Sequence, residues 1–130
     1  MEHFKDPKHA INEMYRVLKP GGKLAVSVDS LLPENSSLDF RRWHSKRHFA
    51  NHYFNESELC SVLANTGFKV DSESTKHLIK TPIGSSLRQT FIRHPRLLLP
   101  LFPIFYFGIR VLDLFFNTRH GQIIVIKATR

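Results

Sequence analysis

The segment 30–52, SLLPENSSLDFRRWHSKRHFANH, concentrates the side chains of this sequence that could do chemistry. Arg41, Arg42, His44, Lys46, Arg47, His48 and His52 gather there, with Phe40, Trp43 and Phe49 between them. Guanidinium groups fork onto carboxylate or phosphate and rings offer an apolar face, so an acidic or aromatic small molecule fits the pattern. The same interleaving suits single-stranded nucleic acid, and a solvated basic lid with no ligand accounts for it equally. His44, His48 and His52 recur at intervals of four, which on a helix would align three imidazoles as metal ligands. No acidic partner follows at matching spacing, so no metal is assigned. Serine stands near histidine in 43–48, but without a nucleophile-elbow sequence or an acid partner. Only Gly21 and Gly22 are adjacent among the six glycines, and no GxGxxG phosphate cradle exists.

What positions this polar loop is the stretch 6–29, DPKHAINEMYRVLKPGGKLAVSVD, which spells a helix, a reversal and a strand without a gap. Asp6 can accept backbone N–H bonds at a helix start, and Pro7 at the first helical position loses no needed donor. Ile11, Met14, Tyr15 and Leu18 form one apolar stripe, Pro20 stops the helix, and Gly21 and Gly22 permit a sharp turn. In 24–28 three aliphatic residues alternate with Ala25 and Ser27, as expected of a parallel strand covered by helices on both faces. In open α/β sheets ligands sit beyond the carboxyl ends of strands, so Asp29 and the loop after it are the first place to look for a site.

A second helix is punctuated by Asn55 as cap, Glu58 three positions on, and a Phe54–Leu59 staple. Gly67 ends it in a Schellman turn, and Phe68 and Val70 begin a strand that turns polar over 71–74. Cys60 is a helix-face thiol with no neighbouring base, read as packing. The segment 87–96 predicts a short helix stopped near Pro95.

Residues 97–116, LLLPLFPIFYFGIRVLDLFF, have the length of a membrane span. Their fourteen Leu, Ile, Phe and Val residues gain about 0.3 to 0.6 kcal/mol each on insertion, whereas Arg110 and Asp113 cost about 3 each. The sum lies near zero before Pro100 and Pro103 are counted, so spanning is not favoured. A helix from Pro103 onward fits better. Phe105, Ile109, Leu112 and Phe116 share one face, opposite a narrow polar stripe of Tyr106, Arg110, Asp113 and Asn117 in which Arg110 and Asp113 pair. Such a helix serves as core or interface, as a lid over a greasy substrate, or as an interfacial membrane contact aided by cations. Gly121 then turns into QIIVIKA, a β-branched closing strand over 122–128.

With 42% hydrophobic residues, disorder throughout is excluded, and a formal net charge of +8 draws phosphate-rich or acidic partners. A single cysteine excludes an internal disulfide and fits a reducing compartment. The polar first ten residues contain no secretory signal, so a cytoplasmic or membrane-associated location is expected.

The opening segment resembles that of class I S-adenosylmethionine-dependent methyltransferases in which the pattern "EH…dp…l.e..RvLkpGG.l.i" joins strand four to strand five. Glu2, His3, Asp6, Pro7, Glu13, Arg16, Val17, Leu18, Lys19, Pro20, Gly21 and Gly22 stand in register with it. Residues 53–70, YFNESELCSVLANTGFKV, are similar to the family's "yft..eL..ll..aGF.v" helix and sixth strand.

The resemblance implies one α/β domain over 1–130, the C-terminal portion of that fold. Its partial Rossmann-like sheet would run five, seven, six, the last strand antiparallel between its neighbours, at about 23–29, 68–74 and 122–129. Helices flank it, and an apolar helical insertion occupies 75–120. The family's glycine-rich first loop and the acidic residue ending its second strand would lie upstream. S-adenosylmethionine is the implied cofactor, with Glu2 and His3 in its neighbourhood and His3 the catalytic candidate, unless His3 only orders the turn before the first helix. Asp29, His44, Arg47, His48 and Tyr53 are candidate contacts to a small-molecule or lipid-like methyl acceptor. On this reading the chain alone binds cofactor poorly. Strand five keeps an open edge that could pair with a second copy or a partner chain. The alternative is a non-enzymatic module that uses this edge and the 97–116 helix to bind protein or membrane, and nucleic acid is the least supported partner.

Overall fold

Asp6 and Pro7 open helix α1 (Pro7–Val17), where the Asp6 carboxylate accepts from the backbone N–H of His9 at 3.0 Å. The computed structural model describes residues 1–71, 75–116 and 120–130. After α1 the chain reverses at Gly21, whose φ of 76° is cheap only for glycine, and enters strand β1 (Lys23–Asp29). Helix α2 (Leu38–His48) and helix α3 (Glu56–Thr66) follow, then strands β2 (Lys69–Val70) and β3 (Lys76–Leu78). Helix α4 (Pro82–Arg93), the short α5 (Pro95–Leu98), a 3-10 turn at Leu99–Leu101 and α6 (Phe102–Phe115) lead to the closing strand β4 (Ile123–Thr129).

The sheet order is β1-β4-β2, with β3 also paired to β4. Every pairing is antiparallel, and Val26 faces Ile126 in the longest ladder. The expected order five, seven, six is therefore present, with the last strand in the middle. The expected strand at 68–74 is short, because β2 ends at Val70; residues 72–74 lie outside the described part.

Burial along β1 alternates, with Val26 and Val28 inside and Ala25 and Ser27 exposed. That corrects the expectation of a parallel strand covered on both faces. Among the described residues helices cover one face only, and the small side chains at 25 and 27 mark the open face rather than a tight second contact. Ile11 of α1, Phe54, Leu59, Leu63 and Phe68 pack onto Val26, Val28, Ile124, Ile126 and Ala128 as one core.

Around α3 the Asn55 side chain caps the Glu58 N–H at 2.8 Å, and the Gly67 N–H closes onto the Ala64 and Leu63 carbonyls with φ at 106°. The predicted cap and Schellman turn are formed, and Phe54 and Leu59, the expected staple pair, are both buried in the core. The polar loop expected over 30–52 is instead half helix. Ser37 caps α2 by accepting from the Phe40 N–H, and Phe40 and His44, one turn apart, are its buried residues. The helix expected at 87–96 begins earlier, at Pro82, where Thr81 accepts from the Gly84 N–H at 2.9 Å.

In α6 the expected polar stripe does not form. Asp113 is buried and turns inward, away from Arg110, accepting from the N–H groups of Ile79 at 2.7 Å and Lys80 at 2.9 Å. Ile109 and Phe105 face the body of the protein, Phe105 stacking on Phe91 at 3.9 Å between ring centroids. Phe116 is half exposed, and Asn117, placed on the same stripe by sequence, lies outside the described residues.

Candidate functional site

The carboxyl end of β1 delivers Asp29 to a cluster assembled from four segments. Arg88 of α4 donates to Asp29 Oδ1 through Nη2 at 2.7 Å and to Gln122 Oε1 through Nη1 at 3.2 Å. The ion pair is mostly shielded, with 11% of the Arg88 side chain and 18% of the Asp29 side chain exposed. Gln122, fully buried where β4 begins, donates to the Asn35 carbonyl at 2.8 Å. Asn35 in turn donates to the carbonyls of Ser30 and Gly121 and accepts from the Leu32 N–H. The strand ends and the loop after β1 are thereby locked together, and the Asp29 carboxylate is held in one orientation.

On the other oxygen of Asp29 stands His44, whose Nε2 lies 3.5 Å from Oδ2. Its Nδ1 lies 2.9 Å from the Tyr53 hydroxyl. The His48 ring packs against His44 at 4.6 Å between centroids. Trp43 and Phe40 extend the aromatic layer, and the Arg93 guanidinium sits over both at 5.6 and 5.5 Å. Helix α2 can present this row because Phe40, completely buried, anchors it one turn before His44.

Electrostatics sort the protons. Burial pushes the His44 imidazole below its ordinary value, and His48 and Arg88 add to this, while Asp29 opposes without restoring it. Burial, followed by the Asp29 charge, pushes the Tyr53 phenol up to about 12. At neutral pH Tyr53 therefore keeps its proton and His44 is uncharged. The phenol donates to Nδ1, which leaves the imidazole proton on Nε2, facing Asp29. Tyr53 also approaches the Arg41 carbonyl, at a marginal 3.5 Å.

Glu2 belongs to the same neighbourhood, since its charge acts on both His44 and Tyr53. Burial alone would raise its carboxyl, but bonds from its own backbone N–H and the Met1 ammonium outweigh that and hold it below the usual range. The Glu2 carbonyl accepts from the Asn51 N–H at 2.7 Å, tying the first residues to the end of the α2 loop.

Of the residues singled out by sequence, Glu2, Asp29, His44, His48 and Tyr53 come together. His3 is 55% exposed at its side chain and its Nε2 lies 3.6 Å from Glu2, at the rim. Arg47 stands elsewhere, in a recess it shares with Arg93, His94 and Arg96. His52 leaves the row of imidazoles and pairs with Glu58 at 2.8 Å. No group of three or more His, Cys, Asp or Glu among the described residues is arranged to hold a metal ion. Cys60 is partly buried and its thiol is pushed up by burial and by Glu56, which leaves it protonated.

Sequence reasoning missed Arg88, Gln122 and Asn35. Arg88 lies 59 positions from its carboxylate, and nothing local distinguishes it from a surface arginine on α4. Gln122 carried a weak signal, as a polar residue directly before a β-branched run at the sheet end where a ligand is expected.

Comparison with known proteins adds a family. The sequence profile of a family described as "Methyltransferase domain" matches residues 1–73. No curated protein sequence matches the chain. Two solved structures of phosphoethanolamine N-methyltransferase 2 from Haemonchus contortus superpose on it with TM-scores of 0.54 and 0.56, at 19% and 17% identity. The first holds S-adenosyl-L-methionine, and the second phosphomonomethylethanolamine and S-adenosylhomocysteine. In both, 99% of this chain is covered and 31% of the other, so the chain spans about a third of those proteins.

Proposed function

The chain belongs to the methyltransferase-domain family, and from that membership we propose that it takes part in methyl transfer from S-adenosylmethionine to a small-molecule or lipid-like acceptor. The observation that carries the reading is the Asp29–His44–Tyr53 chain at the carboxyl end of β1, where an open sheet offers its ligand crevice.

The side chains present suit one flank of the cofactor. The rings of His44, His48 and Tyr53 beside the Asp29 carboxylate make an aromatic-lined polar surface that would border the sulfonium cation. Nothing among the described residues provides a glycine-rich turn for the adenosine half, so further residues or a partner chain would supply it. S-adenosylmethionine, when bound, provides the electrophilic methyl group.

The chain's own residues would act on the acceptor. An acceptor N–H or O–H resting on the Tyr53 oxygen can pass its proton there as the phenolic proton moves to Nδ1 of His44. The imidazolium so formed faces Asp29, whose charge stabilises it, and Arg88 keeps that carboxylate aimed. His48 and Trp43 would border the acceptor and exclude water. His3 at the rim remains the candidate nearest the methionine part of the cofactor, and Arg47 a more distant acceptor contact.

Methyl-transfer kinetics of an active form of the protein test this. Tyr53→Phe and His44→Gln are each expected to lower kcat about 100-fold, with KM for S-adenosylmethionine changed by less than about tenfold. Unchanged kcat in both would remove the relay. Isothermal titration of the 130-residue chain with S-adenosylmethionine is expected to give no micromolar binding; tight binding by the monomer would contradict the need for a completing segment.

A further inference from the structure

Helix α6 is apolar on the side that faces away from the protein as well as on the side that packs. Opposite Ile109 stand Ile104, Phe107, Leu114 and Phe115, with relative exposures of 73, 70, 79 and 80%. Leu97 and Leu99, just before the helix, are 78 and 67% exposed and extend the patch. Within Pro95–Phe115 the most apolar eighteen residues have a mean hydropathy of 1.8, yet only 11% of them are buried. A helix apolar all round needs a second apolar phase on its outer side.

Charge identifies that phase. From residue 75 onward the sequence holds nine lysines and arginines against one carboxylate side chain, Asp113, which is consumed inside by Ile79 and Lys80. The outer side of α6 therefore carries no acidic group, and Arg110 stands exposed at its margin. At the start of the patch Arg47, Arg93, His94 and Arg96 surround an open recess of about 480 Å³ next to Leu97. Guanidinium groups gathered beside exposed leucine match a phosphate layer overlying hydrocarbon.

Orientation follows from the inner face. The Asp113 bonds and the Phe91–Phe105 stack hold α6 along the protein, and the 3-10 turn at Leu99–Leu101 interrupts the α-helix. A helix so held lies along a bilayer surface instead of crossing it.

We propose that residues 95–115 form a peripheral docking surface for an anionic membrane, with the outer face of α6 in the interfacial layer and Arg93 and Arg96 on lipid phosphates. This surface shares Arg93 with the Phe40–Trp43 layer beside the site, but does not rest on the methyl-transfer reading. Flotation of the chain with vesicles of phosphatidylcholine plus phosphatidylglycerol tests it, against phosphatidylcholine alone. Partitioning is expected to be at least about tenfold stronger on the anionic vesicles and to weaken with salt. Phe107→Ser, Leu114→Ser and Phe115→Ser combined, all on exposed positions, should reduce it at least about tenfold. Arg93→Gln with Arg96→Gln should remove the anionic preference. Should the serine variant misfold, Phe107→Trp provides a second readout, its emission shifting to the blue on vesicle addition. Equal partitioning on both vesicle types, serine substitutions without effect on a folded protein, or an unshifted emission from the Phe107→Trp variant would each overturn the proposal. So would sedimentation showing a dimer that the serine substitutions dissociate, in a chain that does not float.

Discussion

Replacing Asp113 tests whether α6 is part of the folded unit. Its carboxylate accepts two consecutive backbone N–H groups, from Ile79 and Lys80, and sits at a position only 7% exposed. Ile79 has φ at 59°, a left-handed conformation that a β-branched residue adopts only when its surroundings impose it. Each charge-assisted bond contributes about 1.5 to 3 kcal/mol, so Asp113→Ala gives up about 3 to 6. Release of Ile79 from its strained backbone returns about 1 to 2 kcal/mol, and hydration of the freed amides some of the rest. The net expected loss is about 2 to 4 kcal/mol. With a urea slope of about 1.5 kcal/mol/M the unfolding midpoint falls by about 1.3 to 2.7 M. Asp113→Asn keeps one acceptor but turns an amide NH₂ toward the other donor, so it should lie about halfway. Ile79→Gly should help less in the Asp113→Ala background than in the parent, by about 1 kcal/mol, since the strain it relieves is already gone. A midpoint for Asp113→Ala within about 0.3 M of the parent, at unchanged slope, would refute the reasoning.

Two further outcomes follow from the same geometry. His44 titrates below its unfolded value near 6.5, so the unfolded chain takes up a proton first as pH falls. Its contribution to stability is complete above about pH 6.5 and is lost on acidification through the folded value, so His44→Gln should flatten the acid limb of a midpoint-versus-pH curve; an unchanged limb would assign that limb to other groups. Gly67→Ala places a Cβ 3.1 Å from the Tyr15 ring at a φ of 106°, which should cost about 1 to 3 kcal/mol and lower Tm by several degrees, as calorimetry would register.

Wherever local chemistry decides, the sequence is legible. The Asp6–Pro7 start, the Asn55 cap, the Gly67 stop and the two long strands can be read because each depends on residues within a turn of one another. Helix α2 escapes because it is polar almost all round: only Phe40 and His44 are buried, too few for a periodic stripe. Helix α6 misleads for the opposite reason. When every face is apolar, composition cannot tell which side packs, and the sequence sets Asp113 in solvent beside Arg110 although a backbone turn 34 residues away claims it. Within the site, Asp29 is found from strand polarity and His44 from its clustered neighbours. Arg88 depends on tertiary approach and leaves no local trace, and Gln122 leaves only a weak one, a polar residue ahead of a β-branched run.

The central strand of the sheet is also the last of the described strands along the chain. Val26 waits for Ile126, about a hundred positions later, and neither β2 nor β3 has another strand partner among the described residues. Closing so long a loop is entropically slow, and a nascent chain that has not yet reached β4 has three strands without a partner among the described ones. Loss of residues 123–130 should therefore unpair β1, β2 and β3 together and take Ile124, Ile126 and Ala128 out of the core.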